Sequence, residues 1–481
     1  MGRTPKTPAP VVPIPYALLS LYFLHAFFMT FPMTAYGEWL FDVIHMPPAT
    51  TTLYYSVTFF PWNLKPLYGL LSDNLPLFGY RRKSYIVICE ICAALSLIAT
   101  GVYVHSIAGA FAVKLVDAVA EAFSQIMLGI FLVDLTTGDA TSRSSARVQS
   151  LANGTKNAAS IAALLVGIPV YRNKAIAPQQ VIGWTSLLPL TAAGVCLLGL
   201  KEDPVRYPAQ ADDVVLDLES SSRWRRIWED WWTEFKRDLQ HKIELMVPVL
   251  PPMLFFFLCN ALPDDGTIWY QYTFSLLEGE PECLQYMSLA GMVGRFFSCL
   301  VYAKWCTKRN VRSVFFLSTV SSVVAGLPRL LLAPPVVTLP ISVCTFGTAE
   351  SFVTSFTSEF ALLQLLVVAT YYCPSNRDVQ GLTYALYLSF MDFGGVVSGM
   401  LTSLVVLVLG IVADPVTKAV DWSHLWLLVV ISSVGQLLVL AFLFVLPEKV
   451  DTASGGEALA SSDVPEKQPL LSDTEFDDVR V

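Results

Sequence analysis

The sequence predicts an all-α membrane protein whose twelve transmembrane helices fall into two pseudo-repeats of six. Three observations predict it. Of 481 residues, 54% are hydrophobic and 15% charged, with a mean hydropathy of +0.55, far from the balance of a soluble globular domain. Apolar windows of about 20 residues, the length of a bilayer-spanning helix, recur twelve times along the chain. Lys and Arg also gather in every second loop, as the positive-inside bias requires of a chain threaded back and forth.

The windows run roughly from Ile14 to Tyr36, Thr51 to Leu71, Ser84 to Val104, Ala108 to Val133, Leu151 to Tyr171 and Val181 to Leu200, then Val247 to Tyr270, Leu284 to Trp305, Ser313 to Ala333, Ile341 to Tyr371, Gly381 to Val412 and Leu425 to Leu446. The tenth and eleventh are long enough to imply tilt or extension beyond the bilayer. Expected domains are a tail at 1–13, a six-helix bundle at 14–200, a linker at 201–246, a second bundle at 247–446 and a disordered tail at 447–481. The tail at 1–13 has no signal-peptide pattern, so the first span is expected to be retained. With both termini cytoplasmic, that side holds Arg81, Arg82, Lys83, Arg143, Arg147, the basic linker, Lys304, Lys308, Arg309, Arg312 and Arg377. The other side holds Arg172, Lys174, Lys418 and a borderline Arg329. The net charge of −8 therefore reports topology and not a partner, and nothing points to nucleic acid.

In the linker, Trp224, Ile227, Trp228, Trp231, Trp232, Phe235 and Leu239 recur at helical spacing opposite Arg225, Arg226, Glu229, Lys236 and Arg237. That pattern predicts an amphipathic helix at the bilayer surface, read first as a strut between the halves. The acidic tail is expected to be disordered. Within it Glu466, Leu470 and Leu471 fit an acidic dileucine motif, which sorting adaptors read on proteins of the plasma membrane or of endosomal and lysosome-like membranes in eukaryotes.

Chemistry concentrates first in PWNLKPLYGLLSDNLPLFGYRRK, residues 61–83. Gly69 permits close helix approach. Asp73 is placed to pair with Arg81 or Arg82 or to accept from a helix N-terminus. Lys65, Gly69, Asp73, Gly79, Arg81 and Arg82 are accordingly expected to form a gating loop, and the basic run also serves as a topology signal.

Ionisable groups at membrane depth are costly and hence candidates for function. Lys114, Asp117, Glu121 and Gln125 share one face of the fourth span, either as a proton-carrying site or as a self-neutralised Lys114–Asp117 pair. Lys156 and Arg295 stand in opposite halves as candidate holders of an anionic solute. Asn260, Glu350 and Asp392 complete the substrate-binding or coupling set, while Glu90 and Glu359 are further buried candidates. Trp269, Tyr270 and Tyr272 are expected to flank a planar ring. The nine cysteines are read as packing residues with no disulfide framework and no metal site. Five scattered histidines, with no P-loop, HExxH or GxSxG constellation, predict neither an enzyme nor an ATP-driven pump; no cofactor is expected.

The spacing of Gly69 to Asp73, followed by Gly79, Arg81 and Arg82, resembles the loop between the second and third helices of the major facilitator superfamily. The longer string from Lys65 to Lys83, the stretch FFFLCNALPDDGTIWYQY, Val148 to Leu151, and Cys373-Pro374 with Gly394-Gly395 are similar to the folate–biopterin transporter family. That resemblance implies the facilitator fold and proton-coupled transport of pterin or folate-like solutes by alternating access. The chain departs from the family at the end of the fourth span, with Gln125, Gly129 and Asp134 where two aspartates and a glutamate are usual. The departure leaves open a transfer of function to Asp117 and Glu121, another cargo such as S-adenosylmethionine, or a non-transporting receptor or scaffold.

Overall fold

A computed structural model describes residues 16–134, 142–173, 175–204, 232–233, 236–237, 250–277, 280–305, 310–334, 341–371, 377–414 and 416–446. The two tails, the sorting motif and most of the linker lie outside this set. Among the described residues the chain forms twelve helical runs, and only two isolated β-bridges occur.

The first six runs are α1 (Tyr16–Thr30, Met33–Glu38 and a π-turn Trp39–Val43), α2 (Pro48–Phe59, Phe60–Leu64 and Lys65–Asn74), α3 (Lys83–Val102), α4 (Ile107–Asp134), α5 (Ser142–Arg172) and α6 (Pro178–Thr185 and Leu187–Gly199). The last six are α7 (Leu250–Ala261 and Gly266–Leu276), α8 (Glu282–Trp305), α9 (Val311–Gly326 and Leu327–Leu331), α10 (Val343–Tyr371), α11 (Arg377–Val408) and α12 (Leu425–Gly435 and Gln436–Val445). At 29 and 32 residues, α10 and α11 exceed the span of the hydrocarbon core.

Eight of these runs are long and apolar enough to cross a membrane by composition alone. The other four are α2, α5, α7 and α10. Pro61, Asn63 and Lys65 interrupt α2, and α5 carries Asn153, Lys156 and Asn157. α7 breaks at 262–265, and α10 bears Glu350, Thr354, Thr357 and Glu359. Of these polar groups Glu350 and Thr357 are buried against protein, whereas Asn153 and Asn157 are exposed.

Helix contacts repeat with an offset of six. α1 packs on α5 as α7 does on α11, α3 on α4 as α9 on α10, and α3 on α6 as α9 on α12. Between the halves, α2 meets α11 and α5 meets α8. An offset of six exchanges these two contacts, as a two-fold axis between the halves demands.

One end of the bundle is closed across the halves. There Gln285 Nε2 donates to Thr34 Oγ1 at 2.5 Å, Gln271 Nε2 to the Met46 carbonyl at 3.2 Å and Ser403 Oγ to the Ala49 carbonyl at 2.8 Å. Phe41 meets Phe274 at 5.2 Å, and Gly399 lies so near Ser56 that any Cβ would clash. A single apolar cluster runs from Trp39, Tyr54 and Ile182 to Phe274, Leu284 and Met287.

The same end carries a Cys283–Cys344 disulfide, with Cα atoms 5.5 Å apart, joining the starts of α8 and α10. This corrects the expectation of cysteines that only pack. The two thiols are 61 residues apart with a helix between them, so no local spacing signals the pair. The fold brings together two helix starts on one side of the bundle.

Proline explains the break in α7. Pro263 has no N–H to continue the ladder, which frees backbone groups that need partners inside a bilayer. Side chains of α11 and α12 supply them. Ser398 Oγ donates to the Leu262 carbonyl at 2.5 Å, Thr402 Oγ1 accepts from the Asp264 N–H at 2.9 Å, and Ser432 Oγ accepts from the Asp265 N–H at 3.3 Å. α1 breaks at Phe31 and Pro32, where Tyr171 answers: its hydroxyl donates to the Phe31 carbonyl at 2.7 Å and accepts from the Ala35 N–H at 3.3 Å.

Candidate functional site

Four polar constellations lie within the bundle. The first is on α4, where Lys114 Nζ reaches Asp117 Oδ2 at 2.5 Å and Glu121 Oε1 at 3.4 Å. Asp117 and Glu121 are 1% and 7% exposed. Lys114 also lies 5.2 Å above the Tyr36 ring. A single ammonium thus faces two buried carboxylates, which is compatible with either reading of this face. Gln125 follows on the same face, half-buried.

The second constellation crosses the halves. Lys65 Nζ of α2 sits 2.7 Å from Asp392 Oδ2 of α11, with the two side chains 21% and 17% exposed. Lys65 had been placed in the gate and Asp392 in the substrate set, and the fold joins them in one ion pair. The Lys65 ammonium also lies 5.5 Å from the Trp62 ring centroid.

The third is centred on Arg329. Its Nη1 reaches Asp265 Oδ1 at 2.8 Å and its Nη2 reaches Glu350 Oε1 at 2.8 Å, while its guanidinium stacks 5.4 Å over Trp269. Ser432 Oγ donates to the same Asp265 oxygen at 2.9 Å. Arg329, expected from sequence at the non-cytoplasmic end of the ninth span, is thus a half-buried cation paired within the second half. Trp269 and Tyr272, expected beside a planar ligand, are 4% and 2% exposed and belong to a packed apolar cluster. The Tyr272 hydroxyl donates to the Leu332 carbonyl at 2.7 Å. Tyr270 is half-buried at the closed end, against Gly37.

A cavity of 550 Å³ adjoins this cluster. Arg295, Asn260, Asp264 and Arg329 line it together with Thr354 and Ser358. Arg295 of α8 and Asp264 in the α7 break are both exposed and line this cavity, as ionisable groups at membrane depth do when they face water. Asn260 Nδ2 donates to the Phe256 carbonyl at 3.2 Å. Of the two predicted anion-holding cations, Arg295 therefore faces a cavity. Lys156 is half-buried, 5.1 Å over the Tyr22 ring.

The fourth constellation is the loop between α2 and α3. Gly79 holds φ +81, a left-handed conformation that favours glycine, and Gly69 faces Ile130 of α4. Arg82 is buried and its Nη1 donates to Ser72 Oγ at 2.5 Å, whereas Arg81 is exposed. The side chain of Asp73 lies outside the described residues.

Sequence reasoning missed Glu202, at the start of the linker. Its Oε1 accepts from the Arg81 and Arg82 N–H groups at 3.0 Å each, and its Oε2 from the Lys83 N–H at 2.7 Å. A carboxylate at a helix N-terminus satisfies orphan donors and complements the helix dipole. Lys83 Nζ closes the connection by donating to the Leu200 carbonyl at 3.0 Å. The N-cap preference alone could not reveal it, because the capping group comes from 119 to 121 residues away.

Comparison with known proteins gives this arrangement a context. The chain matches the sequence profile of the BT1 family over residues 28–461. It is similar to a folate-biopterin transporter of Synechocystis sp., with 26% identity over 90% of this chain and 81% of the relative. It is also similar to folate transporter 1 of Plasmodium falciparum, with 22% identity over 84% of this chain and 74% of that one. Among solved structures, a mutant of the nucleoside transporter NupG aligns at a TM-score of 0.63 with 14% identity, covering 89% of this chain and 99% of that one. The inward-open xylose transporter XylE of E. coli aligns at 0.59 with 9% identity, covering 92% and 98%. These two structures fix the fold as that of facilitator-type transporters.

Proposed function

The chain belongs to the BT1 family, and on that premise we propose that it is a secondary transporter of folate or pterin-like solutes, working by alternating access and coupled to protons. The observation that carries the reading is the closure of one end of a two-half bundle around charged groups. The halves seal at the disulfide end, and Lys65 and Asp392 meet across the interface. Rocking about the α2–α11 and α5–α8 contacts would open that end and close the other. The units that rock are the bundles at 14–200 and 247–446, and the segment at 201–246 tethers them.

Arg295, facing the polar cavity beside Asn260, is the cation we assign to a glutamate carboxylate of the solute. The Lys114, Asp117 and Glu121 cluster carries the coupling proton, since its second carboxylate lacks a cation of its own. On this reading the end of the bundle with the basic loops, and both termini, face the cytoplasm, which the positive-inside bias supports. A disulfide at the opposite end fits an oxidising exterior or lumen. The tail motif at Glu466, Leu470 and Leu471 would direct the protein among eukaryotic membranes through sorting adaptors.

The test is uptake of labelled folic acid and labelled biopterin into cells expressing the chain at their surface, with Leu470 and Leu471 mutated, at two external pH values. Saturable uptake that rises with acidity is expected. Absence of uptake of either solute, with surface expression confirmed, would overturn the substrate class. Arg295→Gln should weaken folic acid uptake more than biopterin uptake, because biopterin has no carboxylate.

A further inference from the structure

Among the polar groups outside these constellations, His25 of α1 and Glu90 of α3 stand apart. They are 2% and 1% exposed, inside the apolar core formed by Leu21, Ile86, Ala93 and Met127. His25 Nδ1 lies 3.5 Å from Glu90 Oε1, and Ser124 Oγ of α4 donates to the same oxygen at 2.6 Å. Their remaining polar capacity is unused: neither ring nitrogen of His25 has a hydrogen-bond partner, nor has Glu90 Oε2, among the described residues. The Phe28 ring meets the imidazole edge-on at 5.0 Å.

Other titratable groups of the same core are Cys89, Cys92 and Tyr85 on α3, Cys196 on α6, Tyr22 on α1 and Tyr68 on α2. Lys156 of α5 is engaged over the Tyr22 ring. On α4, Glu121 stands one turn from Ser124 and is claimed by Lys114. Imidazole is thus the basic group within reach of Glu90, at 3.5 Å. A buried acid–base pair of this kind is poor evidence for stability, because apolar residues of equal volume usually serve as well or better. Its orphaned atoms call for an explanation in function.

We propose that His25 and Glu90 form a second, buried proton-binding site of the transporter, distinct from the Lys114 cluster. The inference rests on the proton-coupled reading given above. In one form a neutral imidazole faces a carboxylate and the site carries one buried negative charge. Uptake of one proton, held on His25 Nδ1 or on a Glu90 oxygen between them, removes that charge. The proton is taken from water on one side and returned to water on the other, and no bond besides that N–H or O–H forms or breaks.

The site's place in the fold supplies the link to transport. Nine residues beyond His25, α1 reaches Thr34, which accepts from Gln285 of the opposite half, and then Gly37, which touches Tyr270. Between them lies the break at Phe31 and Pro32. A change in the attraction between α1 and α3 is therefore delivered to the closed end through α1 itself. Ser124 delivers the same change to α4.

The test uses the full-length protein in liposomes, with labelled folic acid and labelled biopterin as probes. Two rates are read: uptake driven by an imposed acid-outside gradient, and exchange at equal pH. For the unsubstituted protein the gradient should raise uptake. In Glu90→Gln and His25→Asn the ratio of gradient-driven uptake to exchange should fall at least about tenfold, while Cys196→Ser, in the same core, keeps the ratio. Should Glu90→Gln fail to give monodisperse protein, Ser124→Ala carries the test, since it keeps both titrating groups and should move the pH midpoint of uptake. Retention of the full ratio in His25→Asn, together with an unmoved midpoint in Ser124→Ala, would overturn the site and leave proton coupling standing. A gradient without effect on the unsubstituted protein would overturn both.

Discussion

Lys65 of α2 and Asp392 of α11 meet at 2.7 Å across the interface between the halves. A pair this partly exposed contributes little to stability, and on the alternating-access reading proposed above its effect should appear in transport instead. Asp392→Asn should lower uptake of labelled folic acid about tenfold, and Lys65→Asp combined with Asp392→Lys should restore part of it. Residues in one ion pair show coupling of about 0.5–3 kcal/mol in a double-mutant cycle. Strictly additive effects on uptake would show that the two charges act independently.

Arg329 holds two carboxylates whose side chains are 3% and 4% exposed. Arg329→Ala should therefore destabilise the second half by about 3–5 kcal/mol, the cost of breaking a buried ion pair from one side. Thermal unfolding followed by size-exclusion chromatography reads the loss. Arg329→Ala combined with Asp265→Asn and Glu350→Gln should recover part of it, because the stranded charges are gone.

Glu202 accepts from three consecutive backbone N–H groups at the start of α3. Glu202→Ala should cost about 0.5–2 kcal/mol, as loss of a helix cap does. Hydrogen exchange at residues 81–83 should accelerate by roughly 5- to 30-fold if local opening absorbs one to two kcal/mol. Unchanged exchange there, with the protein intact, would mean that water replaces the carboxylate without loss.

The Cys283–Cys344 bond closes a loop of 61 residues. Removing it by Cys283→Ser with Cys344→Ser should cost roughly 2–4 kcal/mol of stability. A membrane-impermeant reductant applied to sealed cells should reach the bond only from the face opposite the basic loops. Reduction from the cytoplasmic face alone, in inverted vesicles, would reverse the assigned orientation.

The helices were legible because each is a local property: some 20 apolar residues in a row, bounded by polar loops, report themselves without knowledge of the partner. Individual acids were legible for the same reason, since Asp117, Glu121, Glu350 and Asp392 are conspicuous in apolar surroundings. Partners were not legible. Lys65 finds Asp392 327 positions away, and Arg329 finds Asp265 64 positions away, so no periodicity links them. Arg329 was counted only in the charge balance of the two faces, because its ion partners in the α7 break and on α10 cannot be read from the sequence. Trp269 and Tyr272 misled in the opposite sense, since aromatic rings suit a binding site and a packed core equally well.

The two broken helices differ in how they are bound. Three side chains of α11 and α12 clasp the gap in α7, whereas the gap in α1 is answered by the Tyr171 hydroxyl. Parting α7 from its clasp would leave the Leu262 carbonyl and the Asp264 and Asp265 N–H groups without these partners, so the clasp ties the three helices together at the break. The gap in α1 is thereby the more lightly bound of the two: among the described residues one phenol bridges its free carbonyl and N–H.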